Sequence, residues 1–193
     1  SVVLNDNNQE FGNISAVNPS NSFQFSAGGL DLGTAVLVVG REGTSRTFNA
    51  QILGGVGSRI TKVGAGTLTL DNINGNRANA LDTLDVSQGA VAAWLNDQSW
   101  ATPTPIASAI PASTTILLRG GTFQALAIGD STGNQQRINI GNNIIHQGGD
   151  SVLTTGRATG SGSSKLLVFN DLTLDVQRFL TNSNNTFLPR FDG

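Results

Sequence analysis

Short segments in which apolar and polar residues alternate recur along the whole chain, and most are bounded by Gly, Asn or Asp. In Thr67–Leu70, for example, the two leucines are separated by a threonine. Alternation of this period is typical of a strand with one buried and one solvated face. Glycine pairs between the segments, such as Gly54-Gly55 and Gly120-Gly121, permit the positive φ values that sharp turns require. The sequence therefore predicts an all-β chain of many short strands.

The sequence shows no sustained apolar stripe of helical spacing, and the nearest approach to one, Gly89–Leu95, is short. β-type runs are frequent instead. The predicted strands, in chain order, are Ser22–Phe25, Ala35–Val39, Arg46–Ile52, Arg59–Val63, Gly66–Leu70, Thr83–Val86, Thr115–Leu118, Thr122–Leu126, Arg137–Ile140, Lys165–Phe169 and Leu172–Val176.

Two architectures accommodate many short strands, a parallel solenoid and an antiparallel β-sandwich. A weak internal repeat favours the solenoid, because a glycine leads an alternating run at Gly66, at Gly89 and at Gly121. The spacings are about 23 and 32 residues, close to one solenoid coil with loops of variable length. We expect residues 1–193 to form a single solenoid domain, with the sandwich as the alternative.

Composition excludes several classes of function. Only 12% of the residues are charged, the net charge is −2 and the basic residues are not clustered, so nucleic acid is not an expected partner. The absence of Cys excludes a thiolate nucleophile and a disulfide, and the single histidine, His146, excludes a His-rich metal site. The longest aliphatic run, Val36–Val39, is far too short for a membrane span.

One stretch of the chain resembles a known family. Residues Arg59–Leu70 read Arg-Ile-Thr-Lys-Val-Gly-Ala-Gly-Thr-Leu-Thr-Leu, and this string closely resembles the autotransporter-associated β-strand repeat. The flanking segments Gln51–Gly57 and Thr83–Val91 are similar to the family's preceding and following parts. The resemblance implies a right-handed parallel β-helix of the kind found in long bacterial surface or secreted proteins, with structural or adhesive roles.

A Trp- and Pro-rich insertion at about residues 96–113 interrupts the strand pattern. Since proline lacks the N–H that a central ladder needs, we expect this insertion to be a loop that leaves the stack. Two tryptophans at or near it, Trp94 and Trp100, are candidate partner-binding residues. In the other interpretation they fold back over the core as a lid.

Candidate catalytic groups are isolated in the sequence. His146 has only Asp150 as a nearby carboxylate, and Asp82 and Asp85 lie three residues apart, so that on one strand they would face opposite sides. The segment Gly148–Val152 has a faint similarity to a calcium-binding nonapeptide, a motif that acts by repetition. We therefore predict no catalytic residue, no cofactor and no metal ligand, and a chain that is not an enzyme.

The functional prediction follows from these exclusions. Few Lys and Glu residues and many Asn, Ser, Thr and Gly residues favour an extracellular or cell-surface protein. We expect a structural or filament-forming module that self-associates through its terminal strands, near Ser1–Leu4 and Asn184–Phe191, or that continues a longer array. The alternatives are an adhesin or fibre that recognises a glycan or cell-surface receptor through the Trp/Pro loop, and a polysaccharide-active enzyme.

Overall fold

The computed structural model describes residues 2–3, 9–11, 22–23, 29–48, 50–71, 80–96, 109–128, 137–159, 166–175, 178–183 and 187–193. Within these residues every helix or strand element is a strand. The strands are β1 (Val2–Val3), β2 (Gln9–Phe11), β3 (Ser22–Phe23), β4 (Gly29–Asp31), β5 (Val36–Val39), β6 (Arg46–Phe48), β7 (Gln51–Leu53), β8 (Arg59–Lys62), β9 (Thr67–Leu70), β10 (Thr83–Val86), β11 (Ala90–Asn96), β12 (Thr115–Leu118), β13 (Thr122–Ile128), β14 (Arg137–Asn139), β15 (Ile144–His146), β16 (Ser151–Arg157), β17 (Leu166–Phe169), β18 (Leu172–Leu174), β19 (Phe179–Ser183) and β20 (Leu188–Phe191).

The strands form four sheets, and successive strands along the chain belong to different sheets. Sheet I has the order β1-β4-β7 and sheet IV the order β14-β17-β20. Sheets II and III are seven-stranded, with the orders β18-β15-β12-β10-β8-β5-β2 and β19-β16-β13-β11-β9-β6-β3. We call one passage of the chain through sheets II and III a rung, for example β8 followed by β9.

All strand pairs of the described chain are parallel. Parallel neighbours need a crossover between them, and here each crossover passes through a strand of another sheet. The alternative of an antiparallel β-sandwich is therefore wrong. The parallel arrangement is compatible with a β-helix.

The core lies between the sheets, where inward-facing side chains stack in register from rung to rung. In sheet II one such column begins at Leu37 and continues through Ile60 and Leu84 to Ile116 and Ile144, all buried. Across the core, sheet III contributes a column with the buried side chains Leu68, Val91, Phe123 and Leu153. The burial of Ile60, Leu68 and Leu70 confirms the face assigned to them by the alternation.

Some strand limits differ from those predicted. The single strand predicted at Arg46–Ile52 is two strands, β6 in sheet III and β7 in sheet I, with the turn near Ala50. No Gly or Pro marks this turn, so the sequence contains no signal that divides the run into two strands. The run Gly89–Leu95, the nearest to a helix in the sequence, lies largely in strand β11.

Glycines with positive φ occupy the turns from sheet II to sheet III. Gly64 has φ 71° and Gly89 has φ 64°. A side-chain carbon at Gly64 would overlap the carbonyl oxygen of Gly40, and one at Gly89 would overlap that of Gly64. The turns of adjacent rungs are thus packed backbone against backbone, at a separation that only glycine permits.

The predicted insertion at 96–113 lies largely outside the described residues. Residues 97–108 are outside, whereas Ala109 and Ile110 are buried in the core. The described residues contain no helix that could span a membrane.

Candidate functional site

Trp94 lies in strand β11 rather than in a loop. The residues that alternate with it, Val91, Ala93 and Leu95, belong to the buried core, so Trp94 faces outward. Its side chain is half-buried and packs against the core, and its carbonyl oxygen accepts a hydrogen bond of 3.0 Å from the N–H of Ala109. Trp100, the second predicted residue, lies outside the described residues.

Trp94 stands on the outer face of sheet III, and on the side of β9 the residue level with it is Asp71, which directly follows that strand. The neighbour of Trp94 on the other side is Leu126 of β13. On β11 itself the outward positions before Trp94 are Ala90 and Ala92, which are 9% and 3% exposed. The other outward-facing side chains of this sheet that the structure describes are Thr47, Thr67, Thr69, Thr122, Gln124, Val152, Thr154, Leu180 and Asn182.

Charge is concentrated on the other large face, that of sheet II. Asp85 points outward between the core residues Leu84 and Val86, yet its side chain is only 1% exposed. It forms an ion pair with Arg59 of β8 and a longer one, 3.7 Å, with Arg119, which follows β12. The Ser87 hydroxyl donates to its second oxygen at 3.1 Å. This cluster joins three consecutive rungs through one buried carboxylate.

Lys62 is a buried cation on the inner side of sheet II. Its Nζ donates to the carbonyl oxygens of Val63 and Gly64, both at 2.7 Å, and to that of Gln88 in the next turn at 3.5 Å. Burial lowers the pKa of the Lys62 ammonium from its ordinary value, because the charged form loses hydration. These three acceptors are backbone groups of the turns, which indicates a structural role.

His146 ends strand β15, where the sequence predicts a polar strand-end residue. Its Nε2 lies 3.0 Å from the carbonyl oxygen of Gly149, and its ring meets that of Phe179 edge-on at 5.8 Å. Its Nδ1 is buried without a hydrogen-bond partner in the described part of the chain. The carboxylate nearest in sequence, Asp150, lies instead 3.8 Å from the exposed Arg178.

Asp82, three residues before Asp85 in the sequence, has a different partner from Asp85. Asp82 precedes β10 and accepts a hydrogen bond of 2.7 Å from the N–H of Gly57. Among the described residues, no group of three or more His, Cys, Asp or Glu side chains is arranged to hold a metal ion. Within the described residues the geometry thus gives one ion-pair cluster around Asp85 and an outward-facing Trp94 on the other large face, and it joins neither His146 to Asp150 nor Asp82 to Asp85.

Comparisons of the chain with models of protein families, with curated proteins and with solved structures found no match. The resemblance of Arg59–Leu70 to the autotransporter-associated β-strand repeat stays a prediction. Those residues form β8, the following glycine turn and β9, which together make one rung.

Proposed function

We propose that this chain is a non-enzymatic structural module, a right-handed parallel β-helix of the autotransporter-associated repeat type, with an extracellular or cell-surface location. Three observations support the proposal: the parallel pairing in all four sheets, the two seven-stranded ladders and the stacked glycine turns between them. A stack of this kind gains length by adding rungs, which suits a fibre or surface-layer component.

The exposure of Leu174 is the observation that carries the assembly role. Leu174 continues the column of Val86, Leu118 and His146, each at most 1% exposed, but is itself 55% exposed. It lies on β18, which pairs on one side only with β15 in the described chain. A position that is core in the preceding rungs is therefore left open on the last one.

The partner that fits this edge is a further rung of the same kind. The outer edges of β18, β19 and β20 carry backbone N–H and C=O groups in the parallel pattern, at the spacing of about 4.8 Å that a strand would match. Leu180 on β19 and Leu188 on β20 are exposed at the same end. A second copy stacked head to tail, or continuation of a longer array, would cover them, and a head-to-tail contact that does not close propagates into a filament.

Light scattering over a concentration series, with and without residues 1–8, tests self-assembly. We expect the 193-residue chain to associate, and Leu174→Asp to weaken association because it places a charge in the contact. Thr173→Asp is the matched control, since Thr173 lies on the same strand at an outward position. A chain that stays monomeric at high concentration would rule out assembly through its ends and would leave continuation of a longer array as the remaining form of the proposal.

The non-enzymatic part of the proposal has its own test. Incubation with uronate polymers and with neutral polysaccharides should release no reducing ends. Sustained product release would show that the chain is a polysaccharide-active enzyme and not a non-enzymatic structural module. The adhesin alternative, with Trp94 and Trp100 as glycan- or receptor-binding residues, has in its favour the outward position of Trp94.

A further inference from the structure

The two ends of the stack differ in which strand lies outermost. At the first end, β1, β2 and β3 follow one another through sheets I, II and III. At the last end, β20 pairs with β17 of sheet IV, whereas β18 and β19, which follow β17 along the chain, have no further strand on their outer edges among the described residues. β20 therefore stands one level beyond the last rung and forms a step.

A second copy that stacks on this end has to accommodate the step. The strands of sheets I and IV hold the same place along the chain, because each one before β20 is followed by a strand of sheet II. When β2 and β3 of the copy pair with β18 and β19, the copy's β1 falls at the level that β20 already occupies. Only one of these two strands can lie there and pair with β4 of the copy, the present partner of β1.

The open edge of β20 restricts the strands that can pair with it. The N–H of Asp192 donates to the carbonyl oxygen of Phe169 on the β17 side, at 3.3 Å. Since the backbone groups of successive residues point to opposite sides of a strand, Pro189 and Phe191 direct theirs to the open edge. This edge has the carbonyl groups of both residues but an N–H only at Phe191. A partner strand must therefore be in a register that needs no donor at Pro189.

Strand β4 of a second copy offers such a register. The N–H of Leu32 donates to the carbonyl oxygen of Leu53 in sheet I at 2.7 Å, so the backbone groups of Asp31 point to the other side, where β1 pairs. When the residue between Pro189 and Phe191 is level with Asp31, the carbonyl oxygen of Pro189 accepts from the N–H of Asp31. The N–H of Phe191 then donates to the Asp31 carbonyl oxygen, and both backbone groups of Asp31 are satisfied.

The side chains agree with this register. Arg190, exposed on the outer side of β20, comes level with the half-buried Asp31 of β4, which has the opposite charge. The present ion-pair partner of Arg190 is Asp192, two residues further along, and both side chains remain accessible to solvent. On the inner side the half-buried Phe191 comes level with Leu32, which lies fully in the core. Charge and apolar surface are thus matched between the two ends.

We infer that copies of this chain assemble by strand exchange, in which β20 of one copy takes the place of β1 in the next. The strands β18 and β19 of the first copy then pair with β2 and β3 of the second. The inference rests on the head-to-tail assembly proposed above and specifies its register. Each copy donates a strand at one end and accepts one at the other, so the contact propagates. β1 competes with assembly, because the acceptor site is open only in the fraction of copies in which β1 is displaced.

Sedimentation velocity over a concentration series gives the apparent dissociation constant of the full 193-residue chain and of the chain without residues 1–8. It is also measured for Arg190→Glu, for Asp31→Arg and for an equimolar mixture of these two variants. The mixture isolates the contact between copies, because Asp31 also accepts a hydrogen bond from the N–H of Gly33 within its own chain. Arg178→Glu, at an exposed arginine just before β19, is the control.

We expect the chain without residues 1–8 to associate about tenfold more tightly than the full chain, since its acceptor site is already open. Each charge variant alone should associate about fivefold more weakly, because like charges then meet at every junction. The mixture should regain the parent affinity, since junctions between unlike copies join opposite charges, and Arg178→Glu should match the parent.

Two results would overturn the exchange register while leaving assembly through the ends in place. One is a parent chain that associates while the folded truncated chain associates no more tightly. The other is a mixture that associates no better than its two components. If truncation prevents folding, as its melting transition would show, the mixture decides alone. Monomers in every sample would overturn both the register and the assembly on which it rests.

Discussion

Buried ionisable residues in this chain are stabilised in two different ways. Asp85 is held on the outer face by two guanidinium groups from neighbouring rungs, while Lys62 is held on the inner side by backbone carbonyls alone. The ion pair of Asp85 with Arg59 joins residues 26 positions apart, whereas two of the three acceptors of Lys62 are the next two residues of its own turn. The sequence contains no local sign of the Asp85 cluster, because its arginines become neighbours only when the rungs stack.

Removing the Asp85 carboxylate should destabilise the fold strongly. Asp85→Ala leaves Arg59 and Arg119 facing each other without their shared anion, and we expect a loss of about 3 kcal/mol in the free energy of unfolding. Urea denaturation measures it. The control is Asp150→Ala, whose pair with Arg178 is largely exposed on both sides and should contribute at most about 0.5 kcal/mol. Equal losses of stability in the two variants would contradict the stabilising role given to the buried Asp85 ion pairs.

Asp71 should make the stability depend on acidic pH. Burial raises the pKa of the Asp71 carboxyl above its ordinary value of 3.8, and its Oδ1 is buried without a hydrogen-bond partner in the described chain. The stabilisation linked to the protonated form is full below the unfolded pKa and is lost as pH rises through the folded pKa. We therefore expect Asp71→Asn to raise the free energy of unfolding by about 0.5 kcal/mol near neutral pH, discounted for partial exposure.

The pH profile separates this effect from a packing effect. Unfolding measured from about pH 3 to about pH 7 should show the difference between Asp71→Asn and the parent growing with pH, since both side chains are uncharged at the acidic limit. A difference that is constant across this range would show that the carboxylate charge is not its cause.

At the scale of the element, the turns between sheets II and III decide how closely rungs can stack. Gly89 lies in such a turn and Gly57 lies in the turn from β7 of sheet I to β8 of sheet II; both have positive φ, 64° and 89°, but they differ in surroundings. The turn of the preceding rung leaves no room for a side-chain carbon at Gly89, whereas nothing lies within 4 Å of one at Gly57. The two glycines therefore separate conformational strain from steric contact between rungs.

Replacing these glycines by alanine should give unequal losses of stability. Gly57→Ala carries only the strain of a positive φ, about 1 kcal/mol. Gly89→Ala adds a backbone overlap that requires two rungs to move apart, and we expect a loss of about 3 kcal/mol or unfolding. Thermal unfolding of both variants measures the difference. Similar melting temperatures would mean that the rungs are less tightly stacked than described.

Local sequence predicted the strands with alternating residues and clear ends, such as Thr83–Val86 and Thr115–Leu118, which the structure has with the same limits. It failed where the signal was non-local or weak. The division of Arg46–Ile52 depends on which sheet each half joins. The strands β15 and β16 were not predicted, although glycines lie in the turns before them.

The candidate site was predictable only in part. Trp94 stood out as a rare residue next to the predicted insertion, but the strand that carries it was absent from the predicted strands, because the run Gly89–Leu95 was also the nearest approach to a helical stripe. The neighbours of Trp94 on β9 and β13 depend on rung lengths that vary along the chain.

At the scale of the whole molecule, stability should follow position in the stack. Strands in the middle, such as β10 and β12, are paired on both sides, whereas β18 and β19 are paired on one side among the residues that the structure describes. Since each rung contacts only its neighbours, the rungs at an open end open most readily.

Amide hydrogen exchange on the dilute chain tests this gradient. We expect the slowest exchange in β10–β13 and progressively faster exchange through β15 and β16 to β18–β20. Uniform protection along the chain would indicate one cooperative unit rather than a stack of neighbouring rungs. Raising the concentration should then slow exchange in β18–β20 selectively if ends associate.

The column that runs from Val39 through Lys62, Val86 and Leu118 to His146 has a consequence for folding fidelity. Because the rungs are similar, a folding chain can pair its strands one rung out of register, since aliphatic side chains can replace one another in the core at little cost. Lys62 and His146 cannot, because a shift by one rung would take the ammonium away from the carbonyl oxygen of Gln88 and the imidazole away from the ring of Phe179, which are their contacts with the next rung. These two polar residues within an apolar column thus make a misaligned stack less stable than the aligned one, because each loses its contact with the next rung.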